Sequence, residues 1–295
     1  MLKIIINLSK WFGLLNKTII SFFRVLIMSK SSRKFKNLKI NSDRIVLLGN
    51  GPSFKNTVDE NRDYFINNKL ICLNHFANTD YYTLLKPKYY FVIAHDLFLD
   101  DTIEEYKNAS IKLFNAIAEK TSWELKFFIT HEAKSEKRWQ DILRKNKNIE
   151  IIFMNITPVE GFKFMRNYWY DKGMGMARPH NVMIPSMFFA ICKGVKEVIL
   201  VGAEHSWLHE LHVDDDNNTL FFNKHFYNEV GKAKKCNYKG TSYMKLHEVI
   251  RSFSYAFEGY HIIEEYAKNK GVKIINCTPN SFIDAFEKKK ISDLK

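Results

Sequence analysis

Cysteine is scarce. The chain has four, Cys72, Cys192, Cys236 and Cys277, and no Cys-x-x-Cys pair. That excludes a disulfide framework and the common zinc arrangements. Three of the four lie inside apolar runs, where buried thiols belong, so the chain reads as cytoplasmic and reduced. The Gly-x-Gly-x-x-Gly fingerprint is missing, as is the Lys-Ser/Thr of a P-loop. No nucleic-acid-binding signature accompanies the basic charge, so nucleic acid is not an expected partner. No run of about 18 uncharged residues occurs, which argues against a membrane-spanning helix. No small-residue cleavage site follows a clean apolar stretch, which argues against a signal peptide.

What is present supports a sizeable core. Of 295 residues, 46% are hydrophobic and 15% aromatic. One α/β domain over 44–290 is expected, behind a separate segment at 1–40. The net charge of +13 suits an anionic membrane surface or an anionic substrate.

The first segment is apolar but punctured by charge. Lys3, Lys10, Lys17 and Arg24 recur every seven residues, with Asn7 and Ser21 on the same side at helical spacing. They form one narrow polar stripe, with Trp11, Phe12, Ile19 and Phe23 elsewhere. A basic cluster follows at Lys30, Arg33, Lys34 and Lys36. The pattern predicts an amphipathic helix lying on an anionic membrane surface, which places the protein peripherally on the inner membrane. The alternative cover is the protein's own core or a second subunit, in a homo-oligomer.

From Arg44 the pattern alternates. Apolar runs at 45–48, 70–73, 89–94, 126–130, 149–154, 197–201 and 272–276 read as buried strands, and amphipathic stretches separate most of them. In "CKGVKEVILVG" and "NKGVKIINC" a glycine suits a helix C-cap just before the next strand. This predicts a doubly wound, mostly parallel Rossmann-like sheet, with ligands beyond the carboxyl ends of its strands. The stretch at about 203–242 has little apolar periodicity and reads as a lid over those ends.

The first strand run stops at Gly49-Asn50-Gly51-Pro52-Ser53. Both glycines can take positive φ and bring backbone N–H groups close to a ligand. Pro52 suits a first helical turn, and Ser53 can cap it. An anion at that helix start is favoured by the dipole. An ordinary tight turn fits equally well.

"RIVLLGNGPSFKN" followed by "LICLNHF", then "LLKPKYYFVIAHD", "AICKGVKEVILVGAEHS" and "KNKGVKIINCTPNSF", form an ordered set. The set resembles the bacterial sialyltransferases of the lipooligosaccharide type, which use CMP-activated sialic acid. It is also similar to the wider group of the 6-hydroxymethylpterin diphosphokinase MptE and the motility accessory factors. The resemblance implies a nucleotide site at Gly49, Asn50, Gly51, Pro52 and Ser53, with Asn74 on the CMP portion. His75 stands where the family has an amide residue. Thr278, Pro279, Asn280 and Ser281 match a late turn near the nucleotide. The chain departs from the family at "RPHNVM", at "HSW" in place of phosphate-binding tyrosines, and at Ser254, near where a general-base histidine belongs.

A transfer from a nucleotide-sugar needs a base for the acceptor hydroxyl and charge stabilisation on the leaving phosphate. His205 is the first candidate base, with Glu204 beside it. His225 and His247 are alternatives, and Arg251 shares a helix face with His247. Asp96 follows a strand and suits ribose, a substrate hydroxyl or a metal. Arg178, His180, Trp207 and Tyr227 are the substrate-side candidates. "VDDDNN" at 213–218 sits among turn-formers and reads as a solvated loop tip rather than a metal motif. No cofactor or metal is expected. The expected partners are a nucleotide-sugar and an oligosaccharide or glycolipid acceptor. The rival readings are an ATP-using diphosphokinase and an inactive scaffold.

Overall fold

A computed structural model describes residues 1–222, 226, 234–238 and 242–294. Eight strands form one sheet: β1 Arg44–Leu48, β2 Lys69–Leu73, β3 Tyr89–Val92, β4 Leu125–Thr130, β5 Ile149–Met154, β6 Glu197–Val201, β12 Lys273–Asn276 and β13 Glu287–Lys288. Between β6 and β12 run the antiparallel ribbon β7 Leu211–Val213, β8 Thr219–Phe221 and β9 Lys234–Lys235, then the pair β10 Asn237–Tyr238 and β11 Ser242–Tyr243. The helices are α1 Leu2–Met28, α2 Arg33–Asn37, α3 Phe54–Glu60, α4 Arg62–Ile66, α5 Tyr81–Leu85, α6 Glu104–Lys120, α7 Arg138–Leu143, α8 Lys163–Asp171, α9 Met183–Cys192 and α10 Leu246–Asn269.

Every pairing in the large sheet is parallel, in the order β13-β12-β6-β1-β2-β3-β4-β5. The chain winds outward from β1 to β5, then crosses back to β6 on the other side of β1. The topology is therefore Rossmann-like, with its switch point between β1 and β6. The strands are apolar on both faces. Ile45, Leu47, Ile71 and Leu73 point into a core shared with α9 and α10, while Val46, Leu48, Leu70 and Cys72 point into one shared with α3 to α7. Period-two alternation is thus invisible in the sequence, and the runs read as uniformly apolar. Gly194 and Gly271 take φ of +75 and +69 just past α9 and α10, where left-handed backbone ends a helix. β13 is a two-residue edge strand with no apolar run to announce it.

α1 packs by its polar stripe, the reverse of an ordinary amphipathic helix. Lys17 and Arg24 face the Glu160 carboxylate at 4.0 and 3.6 Å. Ser21 Oγ accepts from the Glu160 N–H, and Thr18 Oγ1 from the Phe162 N–H. Gly161 makes this approach possible. Its φ is +104, and a Cβ there would lie 2.6 Å from the Thr18 nitrogen and closer still to Thr18 Oγ1. Gly161→Ala is therefore expected to lift α1 off the domain, at a cost of about 1–3 kcal/mol. Limited proteolysis should then cut faster between 29 and 43, and an unchanged cutting rate would contradict this packing.

Candidate functional site

The carboxyl ends of β1, β2, β3 and β6 open onto a cavity of about 420 Å³. It lies at the switch point, where ligands of open parallel sheets bind, and its size is that of a small-molecule site. Gly49, Asn50, Gly51, Pro52, Asn74, His95, Asp96, His180, Glu204, His205 and Trp207 all line it.

The glycine turn is held from one side. Gly49 N–H donates to Val201 O and Gly51 N–H to Gly202 O, both at 2.8 Å. Ser53 N–H donates to Glu204 Oε1 at 2.6 Å. These amides are thus taken by the β6 loop rather than offered to a phosphate. Gly49 and Gly51 do not need positive φ; glycine is required because the β6 loop passes so close. The seven-residue α3 starts at Phe54, after Pro52, and the Ser53 hydroxyl caps nothing. The Glu204 carboxylate stands at that helix start, where negative charge suits the dipole.

Four buried side-chain atoms around the turn have no partner among the described residues: Asn50 Oδ1, Ser53 Oγ, Asn74 Oδ1 and Glu204 Oε2. Leaving such an atom unsatisfied costs about 1–3 kcal/mol. A cluster of them marks a place that a ligand completes. Asn74 and His205 both take left-handed backbone at strand ends, with φ of 45 and 51, another mark of a constrained site. Asp96, Glu204 and Glu210 place three carboxylates on the wall, and no Lys or Arg is among the described lining residues. Burial pushes the Asp96 carboxyl above the usual carboxylate range. Its neighbour His95 is tied up, with Nε2 2.6 Å from Glu132 Oε2.

His205 is set as a neutral ring. Its Nδ1 lies 3.0 Å from the Tyr260 hydroxyl, and that oxygen already accepts from Asn181 Nδ2 at 2.9 Å. The Tyr260 proton has two acceptors in reach, and the Met183 sulfur at 3.9 Å is the weaker. The network therefore assigns the ring proton of His205 to Nε2. The imidazole stacks on Trp207, with centroids 4.1 Å apart. Burial pushes its pKa down to about 3. So weak a base is a poor proton acceptor at neutral pH.

The same shift affects stability. The unfolded chain protonates this group below pH ~6.5, and the folded chain only near pH 3. Its contribution is therefore complete above pH ~6.5 and is lost as pH falls through that window, by at most about 1.4 kcal/mol per pH unit. The urea midpoint of the parent chain should fall more steeply between pH 7 and 5 than that of His205→Asn, a residue that tolerates the left-handed backbone. Equal slopes would contradict the buried neutral ring.

Other candidates lie elsewhere. Thr278 Oγ1 accepts from Ala203 N–H, and Ser281 Oγ donates to Ala203 O. Phe282 N–H donates to Glu204 O. The late turn thus buttresses the β6 loop from behind and does not line the cavity, while Pro279 and Asn280 are exposed. His75 is half-buried in the 3-10 turn after β2, outside the wall. Arg178 is not a free anion site: it pairs with Glu160 at 2.6 Å and lies over the Tyr255 ring. The α9 start is capped by Asn181 Oδ1, which accepts from Met183 and Ile184 N–H. His247 and Arg251 do share a face of α10, but that face is exposed and away from the cavity. His225 and Tyr227 lie outside the described residues. Asp214 closes the β7–β8 hairpin by accepting from Asn218 N–H, and Asp215 and Asp216 are exposed at its tip.

Sequence reasoning missed Asn181, Met183, Glu210 and Tyr260. Asn181 had a signal, since an asparagine two places before an apolar run is a cap pattern. Tyr260 had only its place on the buried stripe of α10.

No family model matches the chain, and no curated protein matches it. Among solved structures it is similar to one described as the MAf glycosyltransferase from Magnetospirillum magneticum AMB-1, at 11% identity and a TM-score of 0.48. The similarity covers 91% of this chain and 36% of that one, so the chain spans about a third of that protein's length. Fold and site together define a Rossmann-like protein with a switch-point cavity rich in hydrogen-bond acceptors.

Proposed function

We propose that the chain is a glycosyltransferase whose donor is a sugar linked to a nucleoside monophosphate, the CMP-linked class. The observation that carries this reading is the imbalance of the cavity. It presents unpartnered acceptors at Asn50, Asn74 and Glu204, three carboxylates, and no Lys or Arg among its described lining residues. A nucleoside supplies donors that match Asn50 and Asn74, in its ribose hydroxyls and, for cytosine, an exocyclic amine, which leaves Glu204 for the acceptor hydroxyl. Each further phosphate adds negative charge beside Asp96, Glu204 and Glu210, which disfavours diphosphate donors and ATP. The motif resemblance to CMP-dependent transferases points the same way.

In the proposed reaction the Glu204 carboxylate accepts the proton of the acceptor hydroxyl. That oxygen forms the new bond to the anomeric carbon. The bond from this carbon to the phosphate oxygen breaks, and the nucleoside monophosphate leaves with the electron pair. His205 Nε2–H donates to the leaving phosphate without itself changing charge, and the His205–Trp207 stack gives the donor an apolar wall. A metal is not part of this scheme. A lipid-linked oligosaccharide or surface polysaccharide is the proposed acceptor class, at the cytoplasmic face of the inner membrane; part of the stretch at about 203–242 read as a lid lies outside the described residues.

Calorimetric titration tests the donor class. CMP and CMP-sugars should bind more tightly than UDP- or GDP-sugars and ATP, with or without EDTA. Failure to bind or hydrolyse any nucleotide-sugar overturns the reading, and ATP- and Mg²⁺-dependent turnover of a pterin would install the diphosphokinase instead.

A further inference from the structure

α1 passes the length and composition test for a membrane span, with 27 residues and a mean hydropathy of 1.4 over its most apolar stretch. Its contacts assign it a different place. From Trp11 against Phe162 to Ser29 on Met174 O, the helix is held along the domain. Those 18 residue steps cover about 27 Å, close to the whole hydrocarbon thickness of about 30 Å. A helix flanked by folded domain over that length is not surrounded by lipid. The C-terminal half of its polar stripe faces the domain, where Lys17, Thr18, Ser21 and Arg24 meet residues 160–162.

What remains outward is apolar. Sixteen of the 28 exposed large hydrophobic side chains among the described residues lie in the first 28 residues, Phe12, Phe23, Leu26 and Ile27 among them. Phe164 and Tyr168 of α8, 70% and 52% exposed, carry the face onto the domain itself. Monomeric proteins rarely expose a patch of that extent without a partner. The charge around it selects the partner. No acidic residue precedes Asp43, while nine Lys and Arg do, and Lys3, Lys10, Lys30, Arg33, Lys34 and Lys36 are exposed. A second copy would set these cations against each other, whereas an anionic bilayer neutralises them.

We propose that α1 and the exposed end of α8 form a monotopic docking face, in which α1 lies in the membrane plane between domain and lipid, apolar side down. The face also adjoins the cavity wall. Glu160, which holds Arg24, pairs with Arg178, and the wall at Pro179–Met183 begins at the next residue. The inference does not depend on the proposed reaction.

Flotation with sealed vesicles tests it. The chain should float with phosphatidylcholine vesicles containing phosphatidylglycerol and much less with phosphatidylcholine alone. Phe12→Glu with Phe23→Glu, both on the outward side, should cut flotation about tenfold or more and leave the thermal midpoint unchanged. Lys3→Cys should react with a membrane-impermeant maleimide added outside intact vesicles bearing the domain outside, above the background of the parent chain. Labelling only after detergent would mean a spanning helix and overturn the proposal. So would a stable dimer that does not float, or flotation unaffected by the double substitution.

Discussion

Glu204→Gln will lower kcat by about 100- to 10,000-fold while donor affinity holds or tightens. The substitution keeps size and shape, and the amide oxygen still accepts from Ser53 N–H, so α3 stays capped. What it removes is the carboxylate oxygen proposed as the proton acceptor, the buried Oε2 that has no partner among the described residues. Removing a negative charge from a wall that also carries Asp96 and Glu210 should not weaken a phosphate-bearing donor. A purely structural role would instead move the thermal midpoint and the affinity together. Unchanged kcat would take the base away from Glu204.

Gly49→Ala will destabilise the chain by about 3 kcal/mol. A Cβ at Gly49 would sit 2.7 Å from Gly202 C and 2.8 Å from Val201 O, and closer still to Gly202 O. All three are backbone atoms, held by the parallel pairing of β1 with β6, so none yields by a side-chain rotation. At Gly51 a Cβ would meet the Glu204 carboxyl first and the Gly202 backbone oxygen at 2.7 Å. Gly51→Ala should therefore displace Glu204 and cost activity as well as stability. Urea unfolding reads both as shifts of midpoint at constant slope. A Gly49→Ala chain as stable as its parent would contradict the close approach at the switch point.

These two residues show how far the sequence reaches. The strand runs, the C-cap glycines and the polar clusters after β1, β2, β3 and β6 are local patterns, and local patterns name elements and their ends. Doubly wound topology then follows from alternation, and with it the edge on which a cavity opens. What local pattern does not carry is which group takes which hydrogen bond. Glu204 reaches Ser53 across 151 positions, and that one contact converts an apparent phosphate cradle into a carboxylate-capped turn. His205 sits at a strand end, as a base should, but its enclosure by Trp207 and Tyr260 removes its basicity. Arg178 looks like an anion site until Glu160 claims it. The seven-residue spacing of cations in α1 correctly marks one polar stripe. It does not say that this stripe faces the protein.

A structure of the protein with CMP tests directly whether a nucleoside occupies the switch-point cavity. The ribose and cytosine donors should lie within hydrogen-bond distance of Asn50 Oδ1 and Asn74 Oδ1, with the phosphate turned toward His205 and Glu204 Oε2 left to the acceptor hydroxyl. A nucleotide bound on another face, or one whose phosphates sit on the Gly49–Ser53 amides after Glu204 has moved away, would contradict it.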